Sequence, residues 1–260
     1  MALILSQHPL ALVAFPAALL RVRVQRIDAR TARPVAPAEA WGSGDAALLD
    51  GPMFALCPDT PRASTEAERY RLAHCDRLVY GIHVAGVFTT PSLEPSAGAT
   101  LAVTRGHATL TPGWSAPPGA SVAVQGYPPL VRGGRVVASN VGANAERNDR
   151  AAVGILRDGR VAFAILRADM EGFGAALAQH GDEWIYTDGG GSAYLGVDGR
   201  RLAGSTEGRR VPVWLACAGE ESGSGGLLAG AVAGGVVGGA IAGPVGAAVG
   251  ALVGALVGAR

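Results

Sequence analysis

The chain has 260 residues and a formal net charge of +1, with 49% hydrophobic and 17% charged residues. That length is enough for one large domain or two small ones, and the near-neutral balance gives no reason to expect nucleic acid as a partner. Every basic residue other than histidine is an arginine, and the three cysteines (Cys57, Cys75, Cys217) and five histidines show no zinc-ligand spacing.

Residues 1–20 are apolar but lack a positive start, and Arg21 and Arg23 fall on the wrong side for export. Arg21-Val22-Arg23-Val24-Gln25-Arg26-Ile27 alternates polar and apolar, as a half-exposed strand does. Residues 1–28 are therefore expected to open the domain as strands, with an uncleaved signal segment as the alternative. Residues 29–45, rich in Pro, Ala and Gly, read as a loop. Asp50-Gly51-Pro52 signals a turn. Thr65–Ala73 fits a short helix capped by Ser64 or Thr65. Leu78–Phe88 reads as one buried strand in which His83 is expected to be a satisfied core histidine, with a catalytic role as the alternative. Ala99–Val103 and His107–Leu110 form a hairpin around Arg105-Gly106, and Ser121–Val124 is a further strand. Of the cysteines, free buried thiols are expected, with a Cys57–Cys75 disulfide as the alternative.

Gly126–Val137 carries a Pro-Pro turn and an Arg132-Gly133-Gly134-Arg135 hairpin loop, and residues 139–149 are polar without a period. Ala151–Leu156 and Arg160–Ile165 are strands joined through Asp158-Gly159, a strong hairpin signal. Asp169 caps a helix of about twelve residues whose Met170, Phe173 and Leu177 share one face, with Gly181 as its stop. This helix should pack beside the next strand, Trp184-Ile185-Tyr186-Thr187-Asp188. Three glycines and Ser192 follow, then a second strand from Ala193. Such a run lets the backbone approach a ligand closely and can turn N–H groups toward an anion. The plain alternative is a hairpin turn whose Asp hydrogen-bonds its own loop.

Asp188-Gly-Gly-Gly-Ser192, a strand, and then Val197-Asp198-Gly199-Arg200 together resemble the signature of the phosphodiester glycosidase family. So do Gly126–Val136, Arg150–Ile155, Gly208–Val213 and the early turn Leu49–Phe54, in family order over roughly 45 to 218. The family usually has Asn where this chain has Asp50. The resemblance implies an α+β fold of mixed β-sheets with a few packing helices, and hydrolysis of sugar-1-phosphodiester bonds. Two carboxylates are the usual equipment for glycoside cleavage. Asp188 is the expected nucleophile or base, with Asp50 and Glu207 as candidate second carboxylates. Arg150 and Arg210 are candidate phosphate clamps, each with a structural salt bridge as its alternative. Gly189, Gly190 and Gly191 could hold an anion or a sugar oxygen, with Ser192 fixing the loop. No metal or cofactor is assigned; one acid and a glycine loop leave a divalent cation open.

Residues 1–218 are thus read as the enzyme-like domain, 219–226 as a Gly/Ser linker and 227–260 as a hydrophobic tail. From 227 to 259 no side chain carries charge or hydrogen bonds, and glycines recur every fourth residue. Such spacing suits close helix packing, either as one helix long enough to span a bilayer or as a hairpin split at Pro244. Membrane association or self-association is the expectation, and a disordered tail is the alternative. The competing functional reading is a non-catalytic structural or glycan-binding protein, for example a virion component such as a phage tail-tip protein. A pore-forming toxin with an enzymatic head is a third class, resting on the tail alone.

Overall fold

The structure, a computed structural model, describes residues 2–6, 9–26, 32–52, 78–206 and 209–219. The expected helix Thr65–Ala73, Cys57, Cys75, Glu207 and the tail 227–260 lie outside the described residues. Among the described residues no helix is long and apolar enough to cross a membrane.

Three antiparallel sheets account for most of the domain. The largest has the order β1-β2-β14-β13-β15-β11-β12. Its strands are β1 (Leu3–Ser6), β2 (Ala11–Phe15), β11 (Pro129–Arg132), β12 (Arg135–Val136), β13 (Asn148–Leu156), β14 (Val161–Ala168) and β15 (Gly181–Gly189). The second, ordered β17-β16-β5-β18-β3-β4, comprises β3 (Leu20–Arg26), β4 (Ala32–Arg33), β5 (Asp45–Asp50), β16 (Tyr194–Val197), β17 (Arg200–Gly204) and β18 (Val213–Ala218). The third, ordered β7-β6-β10-β8-β9, comprises β6 (Ile82–Val84), β7 (Phe88–Thr90), β8 (Ala99–Thr104), β9 (His107–Pro112) and β10 (Ala120–Gly126).

The period of two in each strand divides the core. Val13, Phe15, Val153, Phe163 and Ile185 of the large sheet meet Leu49, Leu195 and Leu215 of the second sheet and Leu101 and Val124 of the third in one cluster. The alternate residues Leu12, Ala152 and Trp184 face the other way and bury Met170, Phe173 and Leu177 of the helix Met170–Ala178. Strands covered on both faces read as continuous apolar runs, and Ala11–Phe15 is buried throughout. The fold class is the expected one, antiparallel sheets with few helices.

Several local expectations are corrected. Leu78–Phe88 is not one strand: β6 and β7 form a hairpin that turns at Gly86, whose φ of +71° is a left-handed conformation open to glycine. The 29–45 segment is not wholly loop, since β4 and a short helix Pro37–Ala40 interrupt it. The 139–149 segment likewise contains a 3-10 turn, Gly142–Ala145, before β13 begins at Asn148. The Asp169-capped helix is nine residues long and ends at Ala178, while Gly181 opens β15 rather than stopping the helix. The Asp169 side chain does cap it, accepting from the Gly172 N–H at 2.8 Å.

Candidate active site

β15 carries Asp188 to the end of the large sheet. Its register with β13 slips between Ala152↔Tyr186 and Arg150↔Gly189, placing an extra residue on β15. Such a bulge re-aims side chains where pairing ends. Beyond it Gly190 takes φ +60°, and a 3-10 turn Gly190–Ser192 delivers the chain to β16. Since β15 and β16 belong to different sheets, the glycine run is a crossover between sheets and not a hairpin turn.

The Asp188 carboxylate is held by its own loop. The Gly189 N–H donates to Oδ1 at 2.7 Å, and the Ser192 hydroxyl donates as well. Asp188 keeps partial solvent access, yet burial of its carboxyl outweighs these bonds and the positive charge of Arg209. Its pKa is pushed up to about 6. The Gly189 N–H is therefore engaged with the carboxylate rather than turned toward a ligand.

Asp50 arrives from the second sheet. It ends β5 opposite Trp214, and its Oδ1 accepts from the Tyr194 N–H at 2.9 Å. The turn after it needs glycine, because a β-carbon on Gly51 would stand 2.7 Å from the Val213 carbonyl oxygen. Asp50 is wholly buried and its Oδ2 has no hydrogen-bond partner among the described residues. Burial, and then the negative charge of Asp188, hold its pKa well above the usual carboxylate range. Two carboxyl groups from two sheets are thus neighbours, and burial biases both toward the protonated form, Asp50 under the added negative charge of Asp188. Tyr186, behind Asp188, is likewise kept protonated by burial and by the Asp188 charge.

The two arginines expected to clamp phosphate sit elsewhere in the hydrogen-bond network. Arg150 is buried and donates to the carbonyl oxygens of Ala143 (3.0 Å), Glu146 (2.9 Å) and Ala168 (3.4 Å), with Tyr186 Oη at 3.5 Å. Arg210 forms an exposed ion pair with Glu39. The arginine whose charge Asp188 feels is its neighbour Arg209. His83 bonds Thr89 Oγ1 and the Ala120 carbonyl, as a satisfied structural histidine does.

Beside the Asp188 loop opens a polar cleft of about 410 Å³, lined among others by Asn148, Asp149, Arg167, Gly190, Gly191 and Thr206. Among the described residues no cluster of three or more His, Cys, Asp or Glu side chains is placed to hold a metal ion. The arrangement offers a carboxylate poised near neutrality, a second, wholly buried carboxyl next to it, and a polar cleft lined by the glycines that follow Asp188.

A family model for phosphodiester glycosidases matches residues 79–217. The chain belongs to the phosphodiester glycosidase family. Among solved structures it is similar to the catalytic domain of zebrafish N-acetylglucosamine-1-phosphodiester alpha-N-acetylglucosaminidase, auto-inhibited by its pro-peptide. That match has a TM-score of 0.59 at 13% identity and covers 82% of this chain and 77% of the zebrafish one. A hypothetical protein from Synechocystis aligns with a TM-score of 0.47 at 12% identity, over 83% of this chain and 61% of that one. At these identities the likeness is one of fold. No curated protein gives a significant sequence match.

Within this phosphodiester glycosidase fold, sequence reasoning missed Tyr186, Arg209, Asp149 and Arg167. Tyr186 was the most accessible, lying two residues before Asp188 on one strand.

Proposed function

We propose that this protein hydrolyses sugar-1-phosphodiester linkages, of the N-acetylglucosamine-phosphate type, in a surface glycan. The observation supporting this most directly is the meeting of Asp188 with Asp50 at the head of the glycine loop, whose Gly190 and Gly191 line the polar cleft. A phosphate diester bonded to an anomeric carbon leaves as a stabilised anion, so protonation of the leaving group matters less than for an alcohol. What the reaction needs is a carboxylate at the sugar and a scaffold that keeps it ionised and aimed. Asp188 acts as nucleophile at the anomeric carbon or as base toward water. The Gly189 N–H, the Ser192 hydroxyl and Arg209 fix and stabilise its charge. Asp50 does not line the cleft; burial and the Asp188 charge push its carboxyl toward the protonated form, which lessens the negative charge opposing ionisation of Asp188.

The direct test is sugar release from an N-acetylglucosamine-1-phosphodiester by the full chain and by Asp188→Asn. Release by wild type, with loss on the order of a thousandfold or more in the variant, supports the reading. Binding without release by a folded wild-type protein would favour the glycan-binding alternative.

For residues 227–259 we infer membrane attachment or self-association, supported by the uncharged composition and the four-residue glycine spacing. Flotation with lipid vesicles by the full chain, lost when the chain ends at 218, is the expected result. A vesicle-negative chain that remains monomeric in detergent would remove this reading.

A further inference from the structure

We propose that Arg167 and Asp149 form a charge filter in the cleft that accepts a phosphate diester and rejects a phosphate monoester. The inference rests on the reading of a sugar-phosphodiester substrate and concerns which phosphate the same site retains.

The two residues stand opposite one another in the β13–β14 register. They extend the face that carries Ala151, Val153, Phe163 and Ile165 into the core, at the point where that face leaves the core and lines the cleft. Arg167 is exposed, and its guanidinium has no carboxylate partner among the described residues. The other candidates are engaged: Arg150 with backbone carbonyls, Arg210 with Glu39. Arg167 is therefore the arginine that the cleft wall presents beside Gly190 and Gly191, within three residues of Asp188.

A diester carries one negative charge and two non-bridging oxygens, which suit the two-pronged donor geometry of a guanidinium. One cation then balances one anion, and Asp149 is tolerated. Hydrolysis changes that balance. The anomeric C–O bond breaks, water supplies the hydroxyl to the sugar and a proton to the medium, and the bridging oxygen stays with phosphorus. The product is a monoester whose second ionisation lies near pH 6, so it carries nearly two charges at neutral pH. Arg167 offsets one of them, and Asp149 repels the other. The filter thus favours substrate entry and product departure with the same pair of side chains.

The test uses the full chain carrying Asp188→Asn, so that ligands bind without turnover. N-acetylglucosamine 1-phosphate and its methyl diester are titrated calorimetrically at low salt and pH 7.5. The diester should bind more tightly. Arg167→Gln should weaken diester binding roughly ten- to a hundredfold, the range for hydrogen bonds to charged groups, and Arg167→Lys should recover part of the loss. Asp149→Asn should strengthen monoester binding several-fold and narrow the gap between the two ligands. Unchanged diester affinity in a folded Arg167→Gln protein, or an unchanged ratio in Asp149→Asn, overturns the proposal. These outcomes are separate from catalysis. If wild type hydrolyses nothing but the binding shifts occur, the filter stands and the hydrolase reading falls. If wild type hydrolyses the diester and the shifts are missing, only the filter falls.

Discussion

The hydroxyl of Tyr186 occupies the space that a β-carbon on Gly189 would need. Such an atom would lie 2.1 Å from Tyr186 Oη and 2.9 Å from the Asp149 carbonyl oxygen. Gly189 has extended backbone, φ −161°, so this glycine is required for room rather than for an unusual dihedral angle. Gly189→Ala should displace the tyrosine or the Asp188 loop, lowering stability by about 1–3 kcal/mol and turnover by roughly a hundredfold. Adding Tyr186→Phe removes the closest atom, so the double variant should recover part of the lost stability. A thermal-unfolding double-mutant cycle showing simple additivity would contradict the steric account.

Asp188 must be ionised to act as nucleophile or base. The kcat/KM for a phosphodiester should therefore rise with pH along an acidic limb centred near 6. An acidic limb near pH 4 would mean that the protein does not raise this carboxyl.

The same displacement has a stability counterpart of opposite sense. The folded pKa of Asp188 exceeds the unfolded value of about 3.9, so its contribution is fully present below that value and is lost as pH rises through about 6. At neutral pH Asp188→Asn should raise Tm while abolishing turnover, a trade between stability and activity.

Asp50→Asn keeps an acceptor for the Tyr194 N–H and removes a carboxyl that the fold biases toward its protonated form. Its folded pKa is raised, so wild type loses stability as pH climbs above the ordinary carboxylate range. The variant should show a flatter dependence of Tm on pH. Asp50→Ala strands the buried Tyr194 N–H and should cost about 1–3 kcal/mol at all pH values. Equal pH profiles for wild type and Asp50→Asn would contradict an upward shift of the Asp50 carboxyl.

Arg150→Met leaves the carbonyls of Ala143 and Glu146 without their donor and should destabilise by about 2–4 kcal/mol. Arg210→Ala breaks an exposed ion pair and should change stability by less than about 1 kcal/mol, with turnover preserved. Comparable losses from the two substitutions, in urea unfolding, would contradict this assignment.

Much of this was legible in the sequence where the signal was local. Asp158-Gly159 and Arg132–Arg135 announced their hairpins because turn chemistry is decided by two to four neighbouring residues. The Asp188 glycine loop was visible for the same reason. That it joins two sheets was not, since a turn's composition does not say which partners its strands find. Asp50 was named through resemblance, yet its bond to Tyr194 spans 144 positions, and burial of that reach leaves no periodic trace. Arg210 takes the structural ion pair that was its alternative reading, while the positive charge that Asp188 feels comes from the adjacent Arg209, which no motif singled out. Arg167 belongs to no motif; it becomes informative only when β14 is placed along the cleft.

Asp188 hangs from one sheet and Asp50 from another, and the Gly190–Ser192 turn is the chain's passage between them. The gap between the two carboxyl groups is therefore a gauge of how the sheets seat on their shared apolar contact. Trimming Leu195 or Val153, neither of which touches the cleft, would let that contact settle differently and move one carboxyl past the other. In such variants reaction rate would register core packing more sensitively than melting temperature does.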